Sequence, residues 1–159
     1  MSLADDLALA HRLADAAADA IRPFYRARYD TEFKSDASPV TEADRAAETA
    51  IRDILERERP HDGIVGEEYG ASRTDAERQW IIDPIDGTRS FIAGRPIFGS
   101  LVGLTQAGWP VLGIIDQPIT RERWAGVTGQ PTTCNGKPVR TRACRSLADA
   151  ILASTGPQY

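Results

Sequence analysis

Cysteine is scarce in this chain. Cys134 and Cys144 are the only two in 159 residues, so no disulfide framework of the kind that staples small secreted domains can be built. No positively charged and then apolar leader precedes the first helical pattern, and both observations point to a reducing, cytoplasmic setting. A basic excess is also missing: the formal net charge is -4 and the isoelectric point about 5.2, which argues against a nucleic-acid-binding surface. No apolar run approaches the length of a membrane span. Nor is there an internal repeat or a low-complexity tract. No serine or cysteine sits in a nucleophile-and-base constellation, and the two cysteines, with no histidine partner in view, read as structural.

What remains is the composition of a soluble globular protein, 42% apolar and 26% charged. The length suits one domain with its own core. Residues 2–29 read as one long helix, with Leu3, Leu7, Ala10, Ala14, Ala17, Ala18, Ile21 and Tyr25 on one stripe. Ser2 and Asp5 have capping-box spacing, the small alanines imply close approach to a second element, and Pro23 predicts a kink or restart. His11 reads as an ordinary packed or solvent-facing side chain. Residues 34–40 form a polar, irregular loop. Thr41 then caps a second helix running to about Arg59, with Ala47, Ala50, Ile51, Ile54 and Leu55 on its apolar face, and Asp44 stands at the capping-box position.

Residues 64–70 predict a short strand entering a turn that carries Glu67 and Glu68. If extended, these two glutamates point to opposite sides, so only one reaches a given site. From residue 98 onward, short strands alternate with tight turns: a turn at Gly108-Trp109-Pro110, and Asn135-Gly136 as a type I′ hairpin signal. The expected class is therefore α+β, with two N-terminal helices covering one face of a largely antiparallel sheet. Residues 146–150 predict a further helical turn and residues 151–153 the start of a strand.

The chain is organised around residues 80–88, Trp-Ile-Ile-Asp-Pro-Ile-Asp-Gly-Thr. An apolar strand brings Asp83 to its end, where Pro84, lacking an N–H, is expected to stop the ladder. Asp86 turns back toward Asp83, and Gly87 lets backbone approach a ligand. Two hard oxygen donors on a rigid turn suit Mg²⁺, and a helix beginning near Thr88 offers free amides and a positive dipole end to a phosphate. Metal and phosphate sites side by side predict phosphoryl-group chemistry.

Three separated motifs resemble one family. Ser38-Pro39-Val40-Thr41-Glu42-Ala43-Asp44, Gly66-Glu67-Glu68 and the segment from Trp80 to Thr88 look like the inositol monophosphatase family of Mg²⁺-dependent phosphomonoesterases. The continuation through Arg89, Arg95 and Gly99, with Asp116-Gln117-Pro118, Glu122-Arg123-Trp124 and Asn135 to Arg142, is most similar to its histidinol-phosphatase branch. An inositol monophosphatase is the nearest alternative, and a non-catalytic metal-binding domain the alternative from another class. The resemblance implies the N-terminal half of a layered α-β-α-β-α fold. It assigns Glu67, Asp83, the Ile85 carbonyl and Asp86 to metals, with Asp83 bridging two of them. Thr88 would hold the attacking water and pass its proton toward Asp44, while Asp86, Gly87 and Thr88 would face the substrate phosphate. Lys34 and Glu68 would support the site.

Family members carry a second α/β half whose aspartate completes the second metal site. Residues 1–145 are thus expected to be a metal-binding phosphatase domain and residues 146–159 the start of a second domain, so that the chain reads as C-terminally truncated. An apolar sheet edge and helix face would then lie uncovered. The resemblance also implies a small phosphorylated metabolite as partner and, since family members are often dimers, a homodimer as one arrangement open to this chain.

Overall fold

Ser2 begins the first helix by a reciprocal cap: its Oγ accepts the Asp5 N–H at 3.2 Å, and Asp5 Oδ2 accepts the Ser2 N–H at 3.1 Å. The computed structural model describes residues 2–28, 31–33 and 39–153. Helix α1 spans Leu3–Ile21 and is followed by a 3₁₀ turn, Arg22–Phe24, that contains Pro23. The helix is shorter than its apolar pattern suggested because Pro23 supplies no amide to continue the ladder. Its buried stripe is also shifted. Leu9, Ala10, Leu13, Ala14, Ala17, Ala18 and Ile21 are buried, whereas Leu3, Leu7 and Tyr25 only lean on the core. The four alanines let α1 lie close against the sheet and the second helix.

Strands β1 (Thr31–Phe33) and β2 (Pro39–Thr41) pair antiparallel; Pro39 and Val40 thus belong to a strand where a loop was expected, and residues 34–38 of that loop lie outside the described residues. Helix α2, Glu42–Glu58, buries Ala43, Ala47, Ile51 and Leu55, and also two acids, Asp44 and Glu48. Then follow β3 (Gly63–Gly66), β4 (Gly70–Ser72), β5 (Arg78–Asp86), α3 (Thr88–Ile92), β6 (Gly99–Gln106), β7 (Trp109–Gln117), β8 (Glu122–Val127), β9 (Thr133–Cys134) and β10 (Lys137–Pro138). β3 to β10 form one sheet in the order β10-β9-β8-β7-β6-β5-β3-β4, antiparallel except for the β3–β5 pair. The expected α+β arrangement is what the chain adopts.

Two hairpin turns have positive φ at both central residues, Ala107-Gly108 (48°, 79°) and Asn135-Gly136 (49°, 76°), as type I′ geometry requires. The first of these lies ahead of the expected Gly108-Trp109-Pro110 turn, and Trp109 and Pro110 already belong to β7. A 3₁₀ turn forms at Leu147–Asp149, but residues 151–153 lie outside any strand with their side chains exposed.

Trp80, Ile82, Val102, Leu104, Leu112 and Ile114 alternate inward from the sheet to meet α1 and α2. Each such side chain contributes about 1.5–3 kcal/mol by leaving water. At one end of this core, Asp6 is wholly buried, with its Oδ1 2.9 Å from Arg78 and 3.3 Å from Arg59. Asp62 accepts the Trp80 indole N–H at 2.9 Å beside it. These ion pairs tie α1, α2 and β5 together, since buried charges persist only when paired.

At the other end, His11 is half-buried against Arg123, which is itself bonded to Asp116 and Asp15. Burial and the Arg123 charge hold His11 below the usual imidazole pKa, and its packed reading stands. The opposite face of the sheet exposes Ile81 and Ile115 beside Leu101 and Trp124, a shallow apolar groove of about 440 Å³. Among the described residues this sheet face is uncovered, and Ile92 of α3 is exposed as well.

Candidate functional site

β5 does not stop at Pro84. Its parallel pairing to β3 ends at Gly66↔Ile82, but its pairing to β6 resumes at Asp86↔Gly99 after an irregularity between Asp83 and Asp86. Pro84 therefore sits in a bulge, where a missing N–H breaks no ladder bond. The bulge is held from behind by Ser100, whose buried Oγ donates to the Pro84 carbonyl at 2.7 Å. The strand thereby delivers Asp83 half-buried, the Ile85 side chain to the core and Asp86 to solvent.

Gly87 follows at φ 95°, ψ 38°, a left-handed conformation that costs a residue with a Cβ. It lets the chain reverse into α3, whose N-cap is Gly87 itself and so offers no side-chain cap. Phe91 anchors this short helix by packing edge-on to Phe98 at 5.1 Å, with the Tyr25 ring beside both.

Asp83 is the electrostatic centre. Its Oδ1 is buried with no hydrogen-bond partner among the described residues. Burial first, then the Glu67 charge and a hydrogen bond to Glu67, then Asp86 and Asp44, push its carboxyl pKa up to about 8. Glu67 reaches this position from a turn, not from an extended strand, and its N–H donates to the Ile82 carbonyl at 3.2 Å. Glu68 is half-buried, and its charge bears on Arg45 of α2.

Asp44 divides its two oxygens. Oδ2 accepts the Thr41 N–H at 2.8 Å and the Thr41 hydroxyl at 2.5 Å, completing the cap. Oδ1 faces the Thr88 hydroxyl at 3.4 Å, and that hydroxyl also lies 3.1 Å from the Ile85 carbonyl. Cap and site partner are thus the same residue. Asp44 is 2% exposed, and burial raises its pKa against the lowering effect of the Thr41 and Thr88 hydrogen bonds.

Of the residues singled out in the sequence, Asp44, Glu67, Asp83, Ile85, Asp86, Gly87 and Thr88 converge around the β5–α3 turn. Glu68 flanks them, and Lys34 lies outside the described residues. Among the described residues, no three acidic, histidine or cysteine side chains stand close enough to enclose an ion as they are. Asp83 and Glu67 form a pair, with Asp86 and Asp44 within electrostatic range. An orphaned buried oxygen and a carboxyl forced to keep its proton are the marks of a site short of positive charge. The donors are all hard oxygens, so the residues fit a divalent cation of the Mg²⁺ type.

One participant gave no signal as a site residue. Glu48, on the same face of α2 as Asp44, is wholly buried and accepts the Glu68 N–H at 2.7 Å and the Tyr69 N–H at 3.2 Å. Its i+4 spacing from Asp44, on the helix side that carries Ala47, Ile51 and Leu55, was the available clue.

The profile of the inositol monophosphatase family matches residues 2–157. The chain is 45% identical over 152 residues to the chloroplastic bifunctional phosphatase IMPL2 of Arabidopsis thaliana, covering 94% of this chain and 44% of that protein. It is 46% identical over 129 residues to a histidinol-phosphatase of Mycobacterium tuberculosis, covering 79% and 49%. Its fold superposes with a TM-score of 0.79 and 59% identity on an inositol monophosphatase from Zymomonas mobilis, covering 91% of this chain and 55% of that one. The chain spans about half the length of these relatives.

Proposed function

Because the chain belongs to the inositol monophosphatase family, we propose that its protein is a Mg²⁺-dependent phosphomonoesterase that hydrolyses L-histidinol phosphate to L-histidinol and phosphate. The observation that carries the reading is the unpartnered Asp83 oxygen set against Glu67, facing a turn that presents Thr88 to Asp44. Glu67, Asp83, Asp86 and the Ile85 carbonyl would hold the cation. When bound, Mg²⁺ supplies Lewis-acid charge to water and to phosphate oxygens.

The chain's own groups do the rest. The Thr88 hydroxyl accepts a hydrogen bond from the attacking water and donates its own proton toward Asp44. Asp44, kept basic by burial, takes up the equivalent of the water proton. The water oxygen bonds to phosphorus as the ester oxygen departs in line and is protonated from solvent. The amides at Gly87 and Thr88, where the N-cap glycine offers no capping side chain, would bind phosphate oxygens. No protein nucleophile is required.

Similarity to histidinol-phosphatases at 45–46% identity favours that substrate. The 59% identity to the Zymomonas mobilis protein keeps an inositol monophosphate ester as the second reading. A metal-binding unit without catalysis is a third, favoured by the half-length match. Phosphate release with Mg²⁺, from L-histidinol phosphate and myo-inositol 1-phosphate at matched concentrations, separates the three. A large preference for histidinol phosphate is expected. Preference for the inositol ester would overturn the substrate, and release from neither, with Mg²⁺ still bound, would overturn catalysis.

A further inference from the structure

The turn that carries Glu67 closes the β3–β4 hairpin, whose last pair is Gly66↔Gly70. Between the end of β3 at Gly66 and the start of β4 at Gly70 only three residues intervene, and Tyr69 is 52% exposed. Its backbone is also tied to elements outside the hairpin. Glu67 N–H goes to Ile82 of β5. Glu68 and Tyr69 N–H groups both go to the Glu48 carboxylate. The Gly70 carbonyl accepts from Arg52, whose Nε is in turn 2.7 Å from Glu48 Oε1. A Cβ built on Gly66 would overlap the Glu48 carboxylate, so glycine there is the space in which the carboxylate sits.

We infer that Glu48 and Arg52 are positioning residues, a clamp on α2 that holds the Glu67 turn against Asp83 and so sets the affinity of the cation site. The inference rests on the metal-binding reading of Glu67 and Asp83. Asp44 and Glu48 stand one helical turn apart on the same buried face, about 6 Å along the axis. Asp44 reaches the Thr88 hydroxyl of the β5–α3 turn, and Glu48 reaches the β3–β4 turn. Helix α2 thereby fixes the spacing between the two turns that form the site.

An uncharged amide cannot replace this carboxylate. In Glu48→Gln one terminal atom becomes a donor aimed at Arg52 or at a backbone N–H, leaving at least one amide of the turn unpaired. Arg52→Ala leaves Glu48 in place but frees the Gly70 carbonyl. The test is Mn²⁺ affinity by calorimetry, together with amide exchange at Glu68 and Tyr69 in the metal-free full chain. Leu55→Ala, on the same helix one turn past Ile51, serves as a control for lost stability alone. Both clamp variants should weaken Mn²⁺ binding by about 10- to 100-fold, as loss of groups that orient metal ligands generally does. Exchange at Glu68 and Tyr69 should accelerate in Glu48→Gln while α1 stays protected. Leu55→Ala should lower the melting temperature without moving the Mn²⁺ affinity.

Affinities within twofold of wild type in both clamp variants would overturn the inference, as would an equal loss in Leu55→Ala. Glu67→Gln separates the layers. If it abolishes binding while Glu48→Gln does not, only the clamp fails. If wild type itself binds no Mn²⁺, the metal reading fails and the clamp with it.

Discussion

Asp83→Asn should make the metal-free chain more stable while removing its response to Mg²⁺. The sign follows from linkage. Asp83 keeps its proton up to about pH 8 in the folded chain and loses it near pH 4 when unfolded. Between those values the folded state binds more protons, so stability falls as pH rises through the window, and the full penalty is present above it. About four pKa units at 1.36 kcal/mol each set a ceiling of roughly 5–6 kcal/mol. Asp83 is only half-buried, so solvent screening reduces the usable part to about 2 kcal/mol. For a chain of this size that is about 4–8 °C in melting temperature.

Asparagine keeps the shape of the side chain and removes the charge. Thermal melts of wild type and variant in chelator at pH 5 and pH 8.5 should show the variant gaining stability at pH 8.5 and little at pH 5. Added Mg²⁺ should then raise the wild-type midpoint through binding to the folded state and leave the variant unmoved. A pH-independent difference, or a variant less stable at pH 8.5, would refute the electrostatic account of the site.

Other substitutions separate the roles of neighbouring residues. Asp44→Asn should lower phosphate release in the whole protein by about 100-fold or more by removing the proposed proton acceptor, and should cost about 1 kcal/mol through the weakened cap, read by kinetics and denaturant melts. Gly87→Ala should destabilise by about 1–2 kcal/mol because φ is 95° there and the new Cβ meets the Ile97 carbonyl and Phe98 Cβ at 3.4 Å. Its phosphate affinity should fall with it, by calorimetry against inorganic phosphate. Asp6→Ala leaves Arg59 and Arg78 facing a buried gap and should cost about 3–5 kcal/mol in urea unfolding, without altering Mg²⁺ affinity.

The parts of this molecule legible in the sequence are those governed by local rules. The Ser2–Asp5 cap, the Asn135-Gly136 turn, the succession of short strands and tight turns after residue 98, and the Asp-Pro-Ile-Asp-Gly-Thr turn each carry their geometry in a few adjacent residues. What escaped depends on partners distant in the chain. Pro84 ended the strand on paper because a ladder was assumed on both sides, whereas β6 tolerates a bulge there. The β1–β2 pair was missed because three-residue strands carry too little periodicity to stand out. Asp6 and Glu48 are acids on helices, where the default place for charge is the solvent face. They are buried because Arg59, Arg78 and two turn amides meet them from elsewhere. Leu9 and Leu13 took the core side of α1 in place of Leu3 and Leu7 because α1 is shorter than its pattern and packs by its middle.

Anomalous scattering from crystals soaked in Mn²⁺ tests the site most directly. The account predicts a peak within coordination distance of Asp83 Oδ1, with Glu67 and the Ile85 carbonyl among its neighbours, that disappears in Asp83→Asn. A chain saturated with Mn²⁺ that shows no peak there, or a peak that survives in Asp83→Asn, would contradict it.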